Sequence, residues 1–343
     1  MQVAVIGAGR MGRIRVEDLS ADSRVSSVLV TNRSPERAAD LARDFPVAVV
    51  PWGDDSLLTA DAFVITTGTD THLEHLERLI PLGRPILCEK PIALTLRDTQ
   101  RAMDLAEQHA APLQIGFQRR FDAGLAALHA DASTGRLGTL YSIVLTAHDH
   151  QPSAREFIGG SGGIFRDMHV HDFDQVRWLT GEEIATVQAF ATVRAQEQYA
   201  EFDDFDSTIV AGMTSGGIPF SISGTRHDPR GHDVRLEVFG TRDSVASGLT
   251  HRTPLGLRLP TEASEPLAFS GIPYSGFVDR FRDAFRRETR AFVDYAGARD
   301  RSPNSSPCPA TAALESLRVA IACEESIRTG GPVEVATIST EEH

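Results

Sequence analysis

The sequence predicts an α/β chain in two parts: a parallel sheet with helices on both faces over residues 1–118, then an α+β part with an open, mainly antiparallel sheet over 119–343. Length is the first reason, because 343 residues make about two domains at roughly 150 residues each. Texture is the second. As far as about Gln118, short apolar runs alternate with helix-length amphipathic segments, the pattern of right-handed βαβ units. After it, strand-like runs follow one another with turn residues between them.

The elements follow in order. QVAVI (2–6) is a buried strand, GAGRMG (7–12) a turn, and a helix runs to about Leu19. VSSVLVT (25–31) is the second strand; Ser34 then caps a helix that begins at Pro35 with apolar positions at Ala38, Ala39, Leu41 and Ala42. DAFVITT (61–67) precedes a helix near 71–81, PILCE (85–89) one near 96–109, and PLQIGF (112–117) closes the series. A helix near 122–131 leads to LGTLYSIVLTAHDH (137–150), the glycine-rich GGSGG (159–163) and a helical segment from Ile164 to Leu179. ATVQAFATVR, STIVAGMTSGGIPFSISGT and HDVRLEVFG read as strands, with a hairpin turn at SGG (215–217). Helices near 276–296 and 310–328 flank RSPNSSPCP (301–309), a surface loop.

Composition excludes several functions. The formal net charge of −13 argues against general affinity for nucleic acid or anionic membranes. Cys88, Cys308 and Cys323 form no CxxC, so neither a disulfide framework nor a zinc ribbon is expected. No apolar run approaches the ~18 residues of a membrane span, and the start of the chain lacks a signal-peptide pattern, so a cytoplasmic protein is expected.

Gly7, Gly9 and Gly12 form GxGxxG between strand and helix. The first permits the tight turn, the second lets backbone approach a pyrophosphate, and the third packs helix on strand, while the helix N-terminus supplies N–H donors. Arg10 and Met11 complete this turn, and a Rossmann-type dinucleotide-binding domain follows. The acidic residue that would grip a ribose 2′-OH is absent; the second strand ends in Thr31, Asn32, Arg33 and Ser34. A neutral Asn32 beside Arg33 and Ser34 offers donors and positive charge to a 2′-phosphate, so NADP(H) is favoured over NAD(H).

Of 34 basic residues, 33 are Arg and one is Lys, Lys90. An ammonium is a compact donor whose pKa can be lowered, which guanidinium is not. A single structural lysine surviving by chance is the plain alternative. Lys90 follows PILCE at the carboxyl edge of the parallel sheet, where open α/β folds bind ligands; Glu89 and Pro91 hold it in a setting that permits a cis peptide.

GGIFRDMHVHDFDQVRWL (162–179) places Asp167 and His171 four apart on one helical face, with His169 pointing elsewhere. The carboxylate can hold one ring nitrogen and leave the other for acid–base work; an exposed helix pair without function is the bland alternative. In an extended segment His169 and His171 would share a face and, with His148 and His150, could bind a metal as in a hydrolase. The apolar spacing of Ile164, Met168, Phe173 and Val176 fits a helix at least as well, and no metal is expected.

VAVIGAGRMG, CEKP (88–91), GFQRRFD (116–122) and SGGIFRDMHVHDFD (161–174), with the late AALESLRVAIACEES before GGPVEV, together resemble the glucose–fructose oxidoreductase/inositol dehydrogenase (Gfo/Idh/MocA) family, and within it bacterial inositol 2-dehydrogenases. The resemblance implies a substrate domain that covers the active site and supports a homo-oligomer, dimer or tetramer. It implies that Lys90, Asp167 and His171 are the catalytic lysine, aspartate and histidine, and that Arg120 lies near substrate. Thr67, Gly68, Thr69 and His72, where the family usually has Pro at position 68, border the nicotinamide, and Glu89 belongs to the cofactor site with Lys90. His232 stands where inositol dehydrogenases place an aromatic. With His148 and His150 also in the implied pocket, the substrate class widens from inositol to a sugar or other polyol. An NAD-dependent glycosidase on the same scaffold and a non-catalytic NADP(H) sensor are the alternatives.

Overall fold

The computed structural model describes residues 1–256, 271–302 and 305–340; Pro303 and Asn304 of the expected surface loop lie outside the described residues. The chain divides into two compact units, residues 1–121, 283–317 and 339–343 in one and 122–282 and 318–338 in the other.

The first unit holds β1 (Gln2–Ile6), α1 (Arg10–Ser20), β2 (Ser27–Thr31), α2 (Pro35–Asp44), β3 (Val47–Val49), β4 (Ala62–Ile65), α3 (His72–Leu79), β5 (Ile86–Glu89), α4 (Leu96–Gln108) and β6 (Leu113–Gly116). The sheet runs β3-β2-β1-β4-β5-β6, every pair parallel, the doubly wound order of a Rossmann domain. The strands are short continuous apolar runs because both faces are covered: Val3, Ala4, Val5 and Phe63, Val64, Ile65 are fully buried. The three-residue edge strand β3 is too short to announce itself in the sequence. Ser34 stands at the N-cap of α2, but its hydroxyl donates to the Glu36 carboxylate (2.8 Å) instead of accepting a helix N–H.

The expected division at 118/119 takes the chain in order, whereas the first unit reclaims residues 283–317. Packing explains the return. Phe292, Val293 and Ala296 are buried in one apolar cluster with Val3, Val5, Val28, Val30 and Leu41. Beyond them, Cys308 O accepts the Ile115 N–H (3.0 Å) and Ser306 Oγ donates to Leu113 O (2.9 Å), so this segment pairs along β6 and covers a sheet edge.

The second unit contains α5 (Ala123–Ser133), β7 (Leu140–His148), α6 (Arg155–Ser161), a π-helical turn (Phe165–His169), α7 (Val170–Thr180), β8 (Ile184–Thr192), β9 (Ser207–Thr214), β10 (Pro219–Thr225), β11 (Asp233–Gly240), β12 (Ser244–Ser247) and β13 (Val333–Glu334). Two long helices, α8 (Phe277–Gly297) and α9 (Ala310–Thr329), are shared by residue number between the units. The sheet order is β12-β11-β7-β10-β9-β8-β13; β7 and β10 pair in parallel and all other neighbours are antiparallel. The SGG turn joins β9 to β10, with Gly217 at φ +88°, a left-handed conformation that favours glycine. One sheet face stays open: Phe190 and Ile209 are directly opposite across β8 and β9 and are 61% and 50% exposed.

Phe292→Ala should destabilise the first unit by about 3–5 kcal/mol, the usual scale for an emptied aromatic core site. Urea unfolding followed by far-UV dichroism measures this, and a loss below ~1 kcal/mol would remove Phe292 from the core.

Candidate active site

In the first unit the loops after β1, β2, β4 and β5 share the carboxyl edge of the parallel sheet. Gly7 turns the chain at φ +110°, and a Cβ there would lie 2.8 Å from the Thr66 backbone. A Cβ on Gly12 would lie 2.0 Å from Gly7 O, so helix and turn touch only because both residues are glycine. Gly9 differs: a Cβ there would meet no protein atom within 4 Å. That open cradle, at the N-cap of a helix whose first turn carries no acid, suits a pyrophosphate. The residues present fit a dinucleotide, with Arg10 and Met11 opening α1.

Asn32 does more than stand in for an acid. Its Oδ1 accepts the Ala8 N–H (2.9 Å) and its Nδ2 donates to Ser34 O (2.9 Å), clamping the glycine turn to the end of β2. Arg33 is exposed, its guanidinium 5.9 Å from the Trp52 ring centre. Trp52 also meets His75 edge-on at 5.4 Å. After β4, Thr71 Oγ1 donates to Thr67 Oγ1 (2.8 Å), and Gly68 and Thr69 lead into His72. His72 is buried, with Nδ1 2.8 Å from Pro91 O and Nε2 3.2 Å from Thr67 O. Burial lowers its pKa against the pull of both carbonyls. The imidazole thereby links the loop after β4 to the one after β5, where Lys90 precedes Pro91 through a cis peptide. Arg120 follows β6 in a short 3-10 turn.

Glu89, expected in the cofactor site, is engaged from behind. Arg15 Nε and Nη2 donate to Glu89 Oε1 (2.9 and 2.7 Å), Nη2 to Glu288 Oε2 (2.5 Å), and Nη1 to Thr289 Oγ1 (3.0 Å). Burial alone would lower the Arg15 pKa; Glu288 and Glu89 outweigh it and push it up. Glu288 is fully buried. Burial raises its carboxyl from 4.5 to about 7 against the attraction of Arg15, with Glu89 adding to the rise.

In the second unit Asp167 lies in the π-helical turn and His171 in the first turn of α7. The expected α-helical spacing therefore starts in a wider turn, of the kind frequent at functional sites. Asp167 Oδ2 accepts from Nη1 of Arg226 at 2.8 Å. Arg226, just past β10, is 1% exposed, and its guanidinium also lies 3.6 Å from Asp204 and 3.9 Å from Asp149. Burial opposes its charge, but these three carboxylates raise its pKa. His169 points into the core: Nδ1 pairs with Asp172 Oδ2 and Nε2 with Thr208 Oγ1, both at 2.7 Å. A Cβ at Gly224 would lie 2.4 Å from that ring, so the sheet admits His169 only over glycine.

His232 is 4% exposed, with Nδ1 3.4 Å from Asp149 Oδ1. His150 Nδ1 lies 3.0 Å from Asp228 O. His148 ends β7. It pairs in register with Thr225 and sits 3.1 Å from Ser223 Oγ, whereas Ala147 pairs with Gly224, which faces His169. Because side chains alternate along a strand, His148 belongs to the sheet face opposite His169. Among the described residues no group of three His, Cys, Asp or Glu side chains could hold a metal ion, and no helix is long and apolar enough to cross a membrane.

Sequence reasoning missed Arg15, Glu288 and Arg226. The carboxylates hydrogen-bonded to these two arginines lie 59 to 273 positions away, and the only available signal was that GTRHD puts a cation at the end of a strand-like run.

Residues 1–117 match the GFO_IDH_MocA oxidoreductase family, NAD-binding Rossmann fold, and 126–246 match the GFO/IDH/MocA C-terminal domain. The chain is 37% identical over 339 residues to the myo-inositol dehydrogenase Hyg17 of Streptomyces leeuwenhoekii, spanning 98% of this chain and 100% of that protein. It is 31% identical over 297 residues to the inositol 2-dehydrogenase of Rhizobium meliloti, spanning 85% and 88%. A solved myo-inositol dehydrogenase from Corynebacterium glutamicum superposes with a TM-score of 0.85 at 30% identity, over 97% of this chain and 98% of that one.

The Glu288 carboxyl gives a pH test. Folded, it keeps its proton to about pH 7, while unfolded it loses it near 4.5. The folded state thus binds more protons in that window, and stability falls as pH rises through it. Glu288→Gln should flatten the slope of denaturant midpoint against pH between about 4.5 and 7; a variant slope equal to that of the parent would contradict the raised carboxyl.

Proposed function

The chain belongs to the GFO/IDH/MocA oxidoreductase family, and from that footing we propose that it transfers hydride reversibly between a secondary alcohol of a cyclic polyol or sugar and a nicotinamide, NADP(H) in preference to NAD(H). Family membership makes it an oxidoreductase acting on CH–OH groups; the polyol class follows from relatives named as inositol dehydrogenases. The observation that carries the reading is the Asp167 carboxylate, held at 2.8 Å by a buried guanidinium in the same helical segment as His171.

The nicotinamide supplies the hydride acceptor when bound. Gly7, Gly9, Arg10, Met11 and Gly12 would hold the pyrophosphate of the dinucleotide, Asn32, Arg33 and Ser34 the adenosine ribose, and Thr67, Gly68, Thr69, His72 and Glu89 the nicotinamide side. In the oxidation His171 accepts the hydroxyl proton and Asp167 stabilises the imidazolium that results. Lys90 donates a hydrogen bond to the substrate oxygen as it gains negative charge, an interaction that strengthens toward the transition state. Arg120, His150 and His232 would contact the remaining hydroxyls. Support for NADP(H) comes from the neutral Asn32 and the exposed Arg33. Support for a dimer or tetramer comes from the apolar pair Phe190 and Ile209 on the open sheet face.

A screen of cyclic polyols and sugars with NAD and NADP, read by nicotinamide absorbance, tests the activity; sugar hydrolysis without net cofactor reduction, or cofactor binding without turnover, would replace it. His171→Ala should lower kcat by about 10²–10⁴-fold and flatten its pH profile. Lys90→Arg should be nearly inactive although the charge is kept, and near-normal turnover would remove Lys90 from the reaction. Asn32→Asp keeps an acceptor for the Ala8 N–H while adding a charge. It should shift the kcat/KM ratio toward NAD(H) by roughly tenfold or more, the scale of one charged hydrogen bond; an unmoved ratio rules out the NADP(H) preference.

A further inference from the structure

Arg15 and Arg226, the most deeply buried arginines among the described residues, differ in what they hold. Arg15 grips carboxylates that are themselves buried. Arg226 is 2% exposed at its side chain, whereas its hydrogen-bonded partner Asp167 is 19% exposed. The cation therefore stands behind a carboxylate that reaches toward solvent. An arginine buried for packing alone would be an expensive choice, because removing a charge from water is costly before pairing.

The surroundings of Arg226 leave it little freedom. Its backbone N–H donates to Asp206 O (2.8 Å), and the Asp206 carboxylate accepts from the N–H groups of Arg194, Ala195 and Gln196. Its guanidinium lies 5.7 Å from the Tyr199 ring centre, and the Tyr199 hydroxyl accepts the Ser153 N–H (2.9 Å). Of the three carboxylates around it, Asp204 already serves elsewhere, with Oδ1 accepting the N–H of Ile164 (2.7 Å) and Phe205 (2.8 Å). That first bond fixes the residue just before the π-helical turn. Asp149 is the most distant of the three, and its other oxygen faces His232. Asp167 alone receives a direct hydrogen bond from the guanidinium. The turn that carries Asp167 is thus held at its start by Asp204 and within it by Arg226, and the same guanidinium attracts both acids.

We propose that Arg226 is a positioning residue for the reaction, orienting the Asp167 carboxylate and supplying its counter-charge so that it can support proton transfer at His171. This rests on the catalytic reading of Asp167 and His171 given above. Arg226, 2% exposed at its side chain, acts through Asp167. Its charge lies 2.8 Å from the Asp167 carboxylate and offsets the repulsion of Asp149 and Asp204, which favours the anionic form of Asp167. An anionic Asp167 stabilises an imidazolium; a neutral one does not.

Arg226→Gln and Arg226→Lys in the full chain test the assignment. NADPH fluorescence titration monitors cofactor binding, and kcat, KM and their pH profiles are measured with the best polyol from the screen. Arg226→Gln should lower kcat on the order of a hundredfold, within the range of general acid–base catalysis, with KM changing less. The acidic limb of its kcat profile should move to higher pH, and Arg226→Lys should recover part of both effects. Parental kcat and pH profile in Arg226→Gln would overturn the proposal, as would equal losses of cofactor binding and turnover with the pH profile unmoved. If Arg226→Gln does not fold, Arg226→Lys decides: a displaced acidic limb supports the role and an unmoved one overturns it. If the parent oxidises no polyol, the functional reading fails by itself. Carboxyl-carbon NMR, assigned with Asp167→Asn, then decides the inference without turnover: Asp167 titrating higher in the Arg226 variants supports it, and an unchanged titration overturns it.

Discussion

A single fully buried guanidinium organises the nucleotide unit. Arg15 sits one turn into the helix that begins at the glycine motif, and its nitrogens reach Glu89 at the end of β5 and Glu288 on α8. One cation between two buried carboxylates is one charge short of balance, which is why burial can hold a proton on Glu288 while Arg15 stays charged. The fork of a guanidinium serves both acids at once, which an ammonium cannot do with the same geometry. Glycine helix, Lys90 strand and returning helix are thereby fixed to one another by a group that never meets solvent. Breaking such a pair from one side leaves an uncompensated charge, the costly case for buried ions.

The second unit solves a related problem with Arg226. Both arginines meet their counter-charges at hydrogen-bond distance, so the local pairing, and not the overall charge of −13, sets the field each one feels. This sharpens the meaning of an arginine-rich, lysine-poor composition. Arginine serves in both interiors, where a planar fork distributes charge over several acceptors. Lysine is kept for one place, beside Glu89 and Pro91 at the sheet edge.

Much of the architecture was legible because its signals are local. Apolar runs bounded by glycine and proline gave β1, β2, β4, β5 and β6 to within a residue or two, and SGG gave the β9–β10 turn. β3 escaped because three residues carry no periodicity. α6 escaped because Gly159 and Gly160 read as loop, although glycine is only a weak helix former and the helix ends at Gly162 in the left-handed region. The wider turn at Asp167 escaped because a π turn leaves no mark on apolar spacing. Of the candidate site, the glycine motif, Lys90 and the Asp–His segment were proposed from residue type and position alone. The segment also holds pairings that spacing did not announce: His169 pairs with Asp172 in the core, and Asp167 accepts from Arg226. Such choices depend on partners brought in by tertiary packing, which sequence spacing cannot weigh.

The nucleotide unit is discontinuous, and this has a consequence for synthesis. Translation delivers the glycine turn and β1 early, but Phe292 and Val293, which complete their core, emerge only after the whole intervening unit has been made. At about 5–20 residues per second the delay is on the order of tens of seconds. Throughout it, apolar surface over Val3, Val5 and Val30 waits for cover, and Arg15 waits for Glu288. The second unit, lying mostly between these pieces, can collapse before the first is sealed, so the part encoded first is completed late. During that interval the nascent chain is most exposed to chaperones and to association with its neighbours on the same message.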